Sequence, residues 1–361
     1  MRLLPYVLVA ALAAATGCAD EPRGGTPYSW ELPPGVPPPP VPDSNPMTVE
    51  KVELGRYLFY DNRLSINQQQ SCGSCHEQAL GFADGRVTPF GTTGEPVPRN
   101  SMGLANVAYS PHLTWANHLL TSIEDQVMIP LFGESPIEMG MVDREKMLLE
   151  RLAADPLYQE LFASAFPGDS DPFTVGNLVR ALSSFIRSMT SFDAPVDRYS
   201  LLGDKGAMSP AAVRGMNLFL GERLECHHCH GGVGFSRAFV TESSRFSLRA
   251  FDNNGLYNLG NTGMYPEGGR GLYDVTGDPL DLGMFRPPTL RNIAVTGPYM
   301  HDGSISSLDA VIDIYAAGGQ VIEDGELAGD GRIHPNKSGF VIGFELSAEE
   351  RQDLLEFMDA L

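Results

Sequence analysis

Cys72-Gly73-Ser74-Cys75-His76 and Cys226-His227-His228-Cys229-His230 are two copies of one pattern, C-x-x-C-H. In this pattern two thiols attach a haem through thioethers, and the adjoining histidine ligates its iron. A redox dithiol or half of a zinc site can use similar spacing. Two copies in a chain whose one other cysteine is Cys18 argue against both alternatives. Two covalent c-type haems are therefore expected, one on Cys72, Cys75 and His76, the other on Cys226, Cys229 and His230. His227 and His228 fill the variable positions of the second motif, so His230 is the expected ligand there.

The flanks repeat as well. Gly55-Arg56-Tyr57-Leu58-Phe59 precedes the first motif, with Arg63-Leu64 beyond it. Gly215-Met216-Asn217-Leu218-Phe219 precedes the second, with Arg223-Leu224 beyond. The Gly, Leu, Phe, Arg and Leu coincide without a gap, and the apolar spacing fits an amphipathic helix leading into each haem. Downstream, Leu104-Ala105-Asn106-Val107-Ala108 parallels Leu290-Arg291-Asn292-Ile293-Ala294. Ser122-Ile123-Glu124 parallels Ser307-Leu308-Asp309, each a plausible helix start. The chain closes on a capping box, Ser347-Ala348-Glu349-Glu350, followed by an apolar face of Leu354, Leu355, Met358 and Leu361. No region shows sustained strand alternation. The expected fold is mainly α: two cytochrome c-like domains related by duplication, residues 47–195 and 196–361, each carrying one haem.

Residues 1–17 read as an export signal, with Arg2 before an apolar run too short to span a bilayer. Ala15-Thr16-Gly17-Cys18 resembles a lipobox, which makes Cys18 a candidate for lipidation and the protein a periplasmic one anchored to the outer membrane. Residues 18–46 hold the run from Pro33 to Pro42 and are expected to form a stiff tether. The 45 acidic and 25 basic residues leave a formal charge of −20, which argues against nucleic acid as a partner. The membrane is expected to be touched only through the N-terminal lipid.

The duplication allows the far side of each haem to be compared. Continued without gaps from Ser122 and Ser307, the alignment sets Pro130 opposite Tyr315. Tyrosine can bind ferric iron as phenolate, whereas proline has no ligand atom. Tyr315 is either that ligand or a core aromatic beside Val311, Ile312 and Ile314. If it is the ligand, the first haem stays open and the second is closed. An open haem admits hydrogen peroxide, and O–O cleavage needs a proton carrier nearby. Gln126 and Glu138 are candidates; the alternatives are an exposed helix residue and a solvated loop carboxylate.

These residues together resemble the bacterial di-haem cytochrome c peroxidase and MauG superfamily over nearly all of residues 47–361. The resemblance rests on both C-x-x-C-H motifs, Pro98-Arg99-Asn100, Trp115, Pro130 and Glu138-Met139. It extends to Pro287-Pro288-Thr289-Leu290-Arg291-Asn292 and Pro298-Tyr299-Met300-His301-Asp302-Gly303. Typical peroxidases of the family carry a histidine shortly before the Pro-Arg-Asn element and a methionine where Tyr315 stands. Here Thr88–Glu95 contains no histidine. Both departures point to the MauG-like branch, with an open first haem and tyrosine on the second. The resemblance then implies that Trp115 lies between the haems and that peroxide yields a bis-Fe(IV) state. It places Glu138 and Gln126 in the distal pocket. It also implies a calcium ion held by the Asn100 side chain and the carbonyls of Thr296 and Pro298.

Trp30, in the N-terminal tail, and Trp115 are the only tryptophans, so the surface tryptophan that relays oxidation in MauG has no counterpart near the second haem. Trp30-Glu31-Leu32-Pro33-Pro34-Gly35, Asn45-Pro46-Met47 and Leu113-Thr114-Trp115-Ala116-Asn117 look like the MbnH-type subgroup. Such enzymes oxidise a tryptophan of a copper-binding MbnP-type partner to kynurenine. The competing functions are a peroxidase drawing electrons from a small redox protein and a plain electron carrier. Among the remaining histidines, His112 is expected in an exposed loop or at a haem edge. His301 is expected beside the second haem, and His334 in a polar loop without a role.

Overall fold

The computed structural model describes residues 25–361, so the export signal and Cys18 lie outside the described residues. Eleven helices carry the described fold. They are α1 (Val49–Phe59), α2 (Ile123–Phe132), α3 (Glu145–Ala153), α4 (Pro156–Ala165), α5 (Val175–Ser188), α6 (Pro195–Ser200), α7 (Pro210–Phe219), α8 (His227–His230), α9 (Tyr273–Thr276), α10 (Leu308–Ala317) and α11 (Ala348–Met358). One two-stranded antiparallel pair joins Val321–Ile322 to Gly329–Asp330. Among the described residues the regular structure is nearly all helical, with long loops between helices.

Local chemistry sets the helix starts. The side chains of Thr48, Ser122, Thr174, Ser209, Ser307 and Ser347 each accept a hydrogen bond from a backbone N–H one turn on. Ser347 and Glu350 complete the expected capping box.

Two helix crossings define the two halves. α1 crosses α5, and α7 crosses α11. Gly55 and Gly215 sit at these crossings for the same reason. A Cβ on Gly55 would stand 2.0 Å from the Ala181 carbonyl oxygen, and one on Gly215 would stand 1.9 Å from that of Asp353. Around the first crossing, Leu54, Leu58, Phe59, Leu178 and Leu182 build one core, which runs to Met189. Around the second, Phe219, Leu354, Phe357 and Met358 build another, which begins at Val196. Both halves also place an asparagine in the left-handed region, Asn106 at φ 60° and Asn292 at φ 62°. Their N–H groups donate to the carbonyls of Met189 and Leu361, just past α5 and α11.

The halves meet at an apolar seam of Val36, Tyr109 and Phe192 with Val233 and Phe239. Tyr109 and Phe239 stack 4.6 Å apart across it. A buried ion pair, Arg291 with Asp197, ties the loop after the second haem motif to α6 at 2.6 and 2.7 Å.

The segment expected to stand off as a tether instead lies along the body. Extended proline-rich backbone has no internal hydrogen bonds, so its carbonyls seek outside donors. The Pro37 carbonyl accepts from Tyr109 Oη and that of Pro38 from the Glu242 N–H. Val36 is buried in the seam. Asn45 is also buried and donates to Glu124 and to the Arg180 carbonyl.

Candidate haem-binding sites and active centre

Both C-x-x-C-H segments fold as the same tight turn. The His76 N–H donates to the Cys72 carbonyl at 3.0 Å, and the His230 N–H to the Cys226 carbonyl at 2.9 Å. The turn sets two sulfurs and an imidazole on one side. His76 Nδ1 lies 2.8 Å from the Phe82 carbonyl, and His230 Nδ1 lies 3.1 Å from that of Pro288. A ring that gives its Nδ1 proton to a carbonyl keeps a lone pair on Nε2, the arrangement of a metal-ligating histidine. Burial lowers the pKa of His76, and it brings that of His230 down to about 4, so both rings are neutral donors.

The four thiols are unpaired. Burial pushes Cys72, Cys226 and Cys229 up to about 12 and Cys75 to about 11. Such thiols are poor nucleophiles at neutral pH, which disfavours the redox-dithiol alternative. One cavity is lined by Cys226, Cys229 and His230, with Tyr315 also on its wall. Two thiols, a neutral imidazole and a largely apolar wall fit a covalently attached haem.

α2 and α10 are both ten residues long and both start after a capping serine. Pro130 and Tyr315 are the eighth residue of each, so the gapless offset agrees with the helix bounds. Tyr315 is raised to about 12 by burial, and the Asn254 side chain, within hydrogen-bonding reach, opposes that rise. The negative charge that Cys226 and Cys229 would carry also raises Tyr315, so the phenol stands near the pair of sulfurs. Asn254 carries no sequence motif and was not anticipated.

On the first site, the loop after α2 folds back on itself. Met139 and Met141 donate their N–H groups to the carbonyls of Pro130 and Leu131. Ile66 donates to the Met139 carbonyl, and Thr92 to that of Glu138. Gly91 permits this approach, since a Cβ there would stand 1.9 Å from the Ile137 carbonyl oxygen. The loop thereby brings Glu138 within electrostatic reach of Cys72 and Cys75. Burial raises the Glu138 carboxyl above the usual range. The solvated-carboxylate alternative does not describe it. Gln126 is half-buried, and its Oε1 is buried without a partner, unlike an exposed helix residue.

Trp115 joins the halves. Its indole N–H donates to the Asn100 carbonyl at 2.9 Å, and its own carbonyl accepts from the Arg286 N–H at 2.8 Å. Trp115 borders the cavity that Cys226, Cys229 and His230 line, as do Asn100, Thr296 and Pro298. Asn100 Nδ2 donates to the carbonyls of Arg86 and Val87, leaving its Oδ1 as an acceptor. Arg286, buried on the same wall, was missed from the sequence; its guanidinium donates to the Thr114 carbonyl and Ser110 Oγ.

His301 borders the cavity, stacked 3.8 Å from Phe285. His112 is buried against Phe251 rather than lying in an exposed loop. His334 is also buried. Its Nε2 lies 2.9 Å from the Gly263 carbonyl, and its Nδ1 accepts from the Asn336 N–H, so it holds loops together and is not inert.

Residues 49–206 match the family model described as di-haem cytochrome c peroxidase. The methylamine utilization protein MauG of Methylorubrum extorquens is 33% identical, over 99% of this chain and 90% of its own length. The cytochrome-c peroxidase IdrP1 of a Pseudomonas species, strain SCT, is 36% identical over 98% and 91%. The crystal structure of a MauG-like protein associated with microbial copper homeostasis is 46% identical, covers 92% and 95%, and superposes with a TM-score of 0.90. The chain belongs to the di-haem cytochrome c peroxidase/MauG family, haem-dependent oxidoreductases that use peroxide, and membership implies two haems.

Proposed function

We propose that this protein is a peroxide-dependent oxidase of the MauG/MbnH type that oxidises an aromatic residue, tryptophan to kynurenine, on a partner protein. The observation that carries this reading is the exchange of Pro130 for Tyr315 at the eighth position of matching helices. Haems bound at the two sites would accept the oxidising equivalents of peroxide and hold them as a bis-Fe(IV) state.

Each protein group then has a defined task. Cys72 with Cys75, and Cys226 with Cys229, attach the two haems. His76 and His230 ligate through Nε2. Tyr315 would be a further ligand residue for the second haem, and an anionic oxygen ligand would favour higher oxidation states. Pro130 offers no donor, so the first haem stays accessible. Glu138 takes a proton from peroxide and returns it to the departing oxygen, a task suited to a carboxyl whose pKa burial has raised. Gln126 Oε1 is a free acceptor for orienting peroxide or water. Trp115 carries charge between the halves. Asn100 Oδ1 and the carbonyls of Thr296 and Pro298 supply oxygen ligands suited to calcium.

The copper-homeostasis relative supports an MbnP-like copper-binding protein as the oxidised partner. The N-terminal signal and Cys18 support a periplasmic, lipid-anchored location. The relatives named cytochrome-c peroxidase favour a second reading, peroxide reduction with electrons from a small redox protein. Peroxide treatment with a candidate partner, followed by mass spectrometry, tests the choice. Oxygen added to one tryptophan is expected. Fast turnover with a reduced small cytochrome and an unmodified partner would overturn the oxidase reading.

A further inference from the structure

The pair His227-His228 has no task in haem attachment, and the structure gives it one. We propose that His227, His228 and Glu222 form a site for a divalent late first-row transition metal, Cu²⁺ or Zn²⁺, on the outer face of the second haem motif.

One ligand atom from each of the three residues can be chosen so that all lie within 4.8 Å of one another. His227 Nε2 is 3.6 Å from Glu222 Oε1, and His228 Nε2 is 3.7 Å from Glu222 Oε2. These separations exceed hydrogen bonds. They approach the edge of a tetrahedron whose ligands lie about 2.0–2.2 Å from a central ion, roughly 3.3–3.6 Å. Glu225 Oε2, 2.6 Å from His228 Nε2, is too close for both atoms to bind one ion as they stand, so its carboxylate would swing back to free that nitrogen and could then serve as the fourth ligand.

The donor set names the metal class. Two imidazoles with carboxylates suit copper and zinc, whereas calcium and magnesium take oxygen. Two carboxylates neutralise a dication. The imidazoles are held before any ion arrives: their rings lie 4.1 Å apart, and His228 stacks on Phe340 at 4.0 Å. Glu222 is exposed, which leaves an entry path from solvent. The corresponding positions of the first motif are Gly73 and Ser74, so the site belongs to one half alone.

That difference supplies the control. In His227→Gly/His228→Ser the second motif becomes identical to the first, and haem attachment is expected to persist. Haem-loaded parent and variant are dialysed against micromolar Zn²⁺ or Cu²⁺ and analysed for metal. The parent is expected to take up one further ion per chain, with two nitrogen couplings in the Cu²⁺ paramagnetic resonance spectrum. The double variant is expected to lose that ion. Glu222→Gln, which lies outside the motif, should weaken binding at least tenfold and decides the matter if the double variant fails to fold. No uptake by the parent, or equal uptake by parent and Glu222→Gln, would overturn the proposal.

Discussion

The two halves share one scaffold and differ at the eighth residue of a matched helix and in the loop that follows it. Each has a helix crossing closed on a glycine, a C-x-x-C-H turn whose histidine is fixed by a backbone carbonyl, a left-handed asparagine and a serine-capped ten-residue helix. They part at the eighth residue of that helix and in the path the chain takes beyond its end. After α2 the chain turns back at once and delivers the half-buried carboxyl of Glu138. After α10 it runs instead through a left-handed glycine, Gly318, into the strand pair. Duplication thus preserves the histidine side of each site, and divergence is concentrated on the opposite side. On the proposed reading, the shared side would hold the haem and the divergent side would decide the reaction.

The sharpest way to break this comparison is Tyr315→Phe. Both haems should remain attached, and the bis-Fe(IV) state should vanish from iron spectra of peroxide-treated protein; its survival would erase the proposed asymmetry. Glu138→Gln should slow reaction with peroxide by about 10²–10⁴-fold in stopped-flow traces. In the parent, that rate should rise with pH as Glu138 deprotonates. Because burial raises this carboxyl, the rise should lie above the ordinary glutamate value of about 4.3, and the variant should flatten it. Asp197→Ala would leave the Arg291 guanidinium buried and unpaired. It should cost about 3–5 kcal/mol in denaturant unfolding. The smallest effects should come from Gly55→Ala and Gly215→Ala, each about 1–3 kcal/mol by overpacking against a backbone carbonyl. Near-equal losses would sharpen the equivalence of the crossings, and unequal losses would weaken it.

The C-x-x-C-H motifs were legible because covalent haem attachment would demand fixed residue types at fixed spacing. The offset from serine to Pro130 and Tyr315 was readable because both helices begin on the same cap and have the same length. Glu138 was only a candidate, since its position depends on a backbone reversal pinned by Ile66 and Thr92, far away in sequence. His334 was misjudged for a similar reason: its Nε2 partner is 71 residues away and leaves no local pattern. The proline-rich run was expected to be extended and to stand off, whereas it turns at Pro34-Gly35 and then lies along the body. Its stiffness says nothing about what its carbonyls find.

That run has a mechanical consequence. By accepting hydrogen bonds from Tyr109 in one half and Glu242 in the other, it works as a clasp over the joint. Removing the chain through Pro38 would take away both acceptors and spare both cores and both motifs. It would loosen the joint that Trp115 also bridges, so the proposed passage of charge between the halves would come to depend on a segment remote from both motifs.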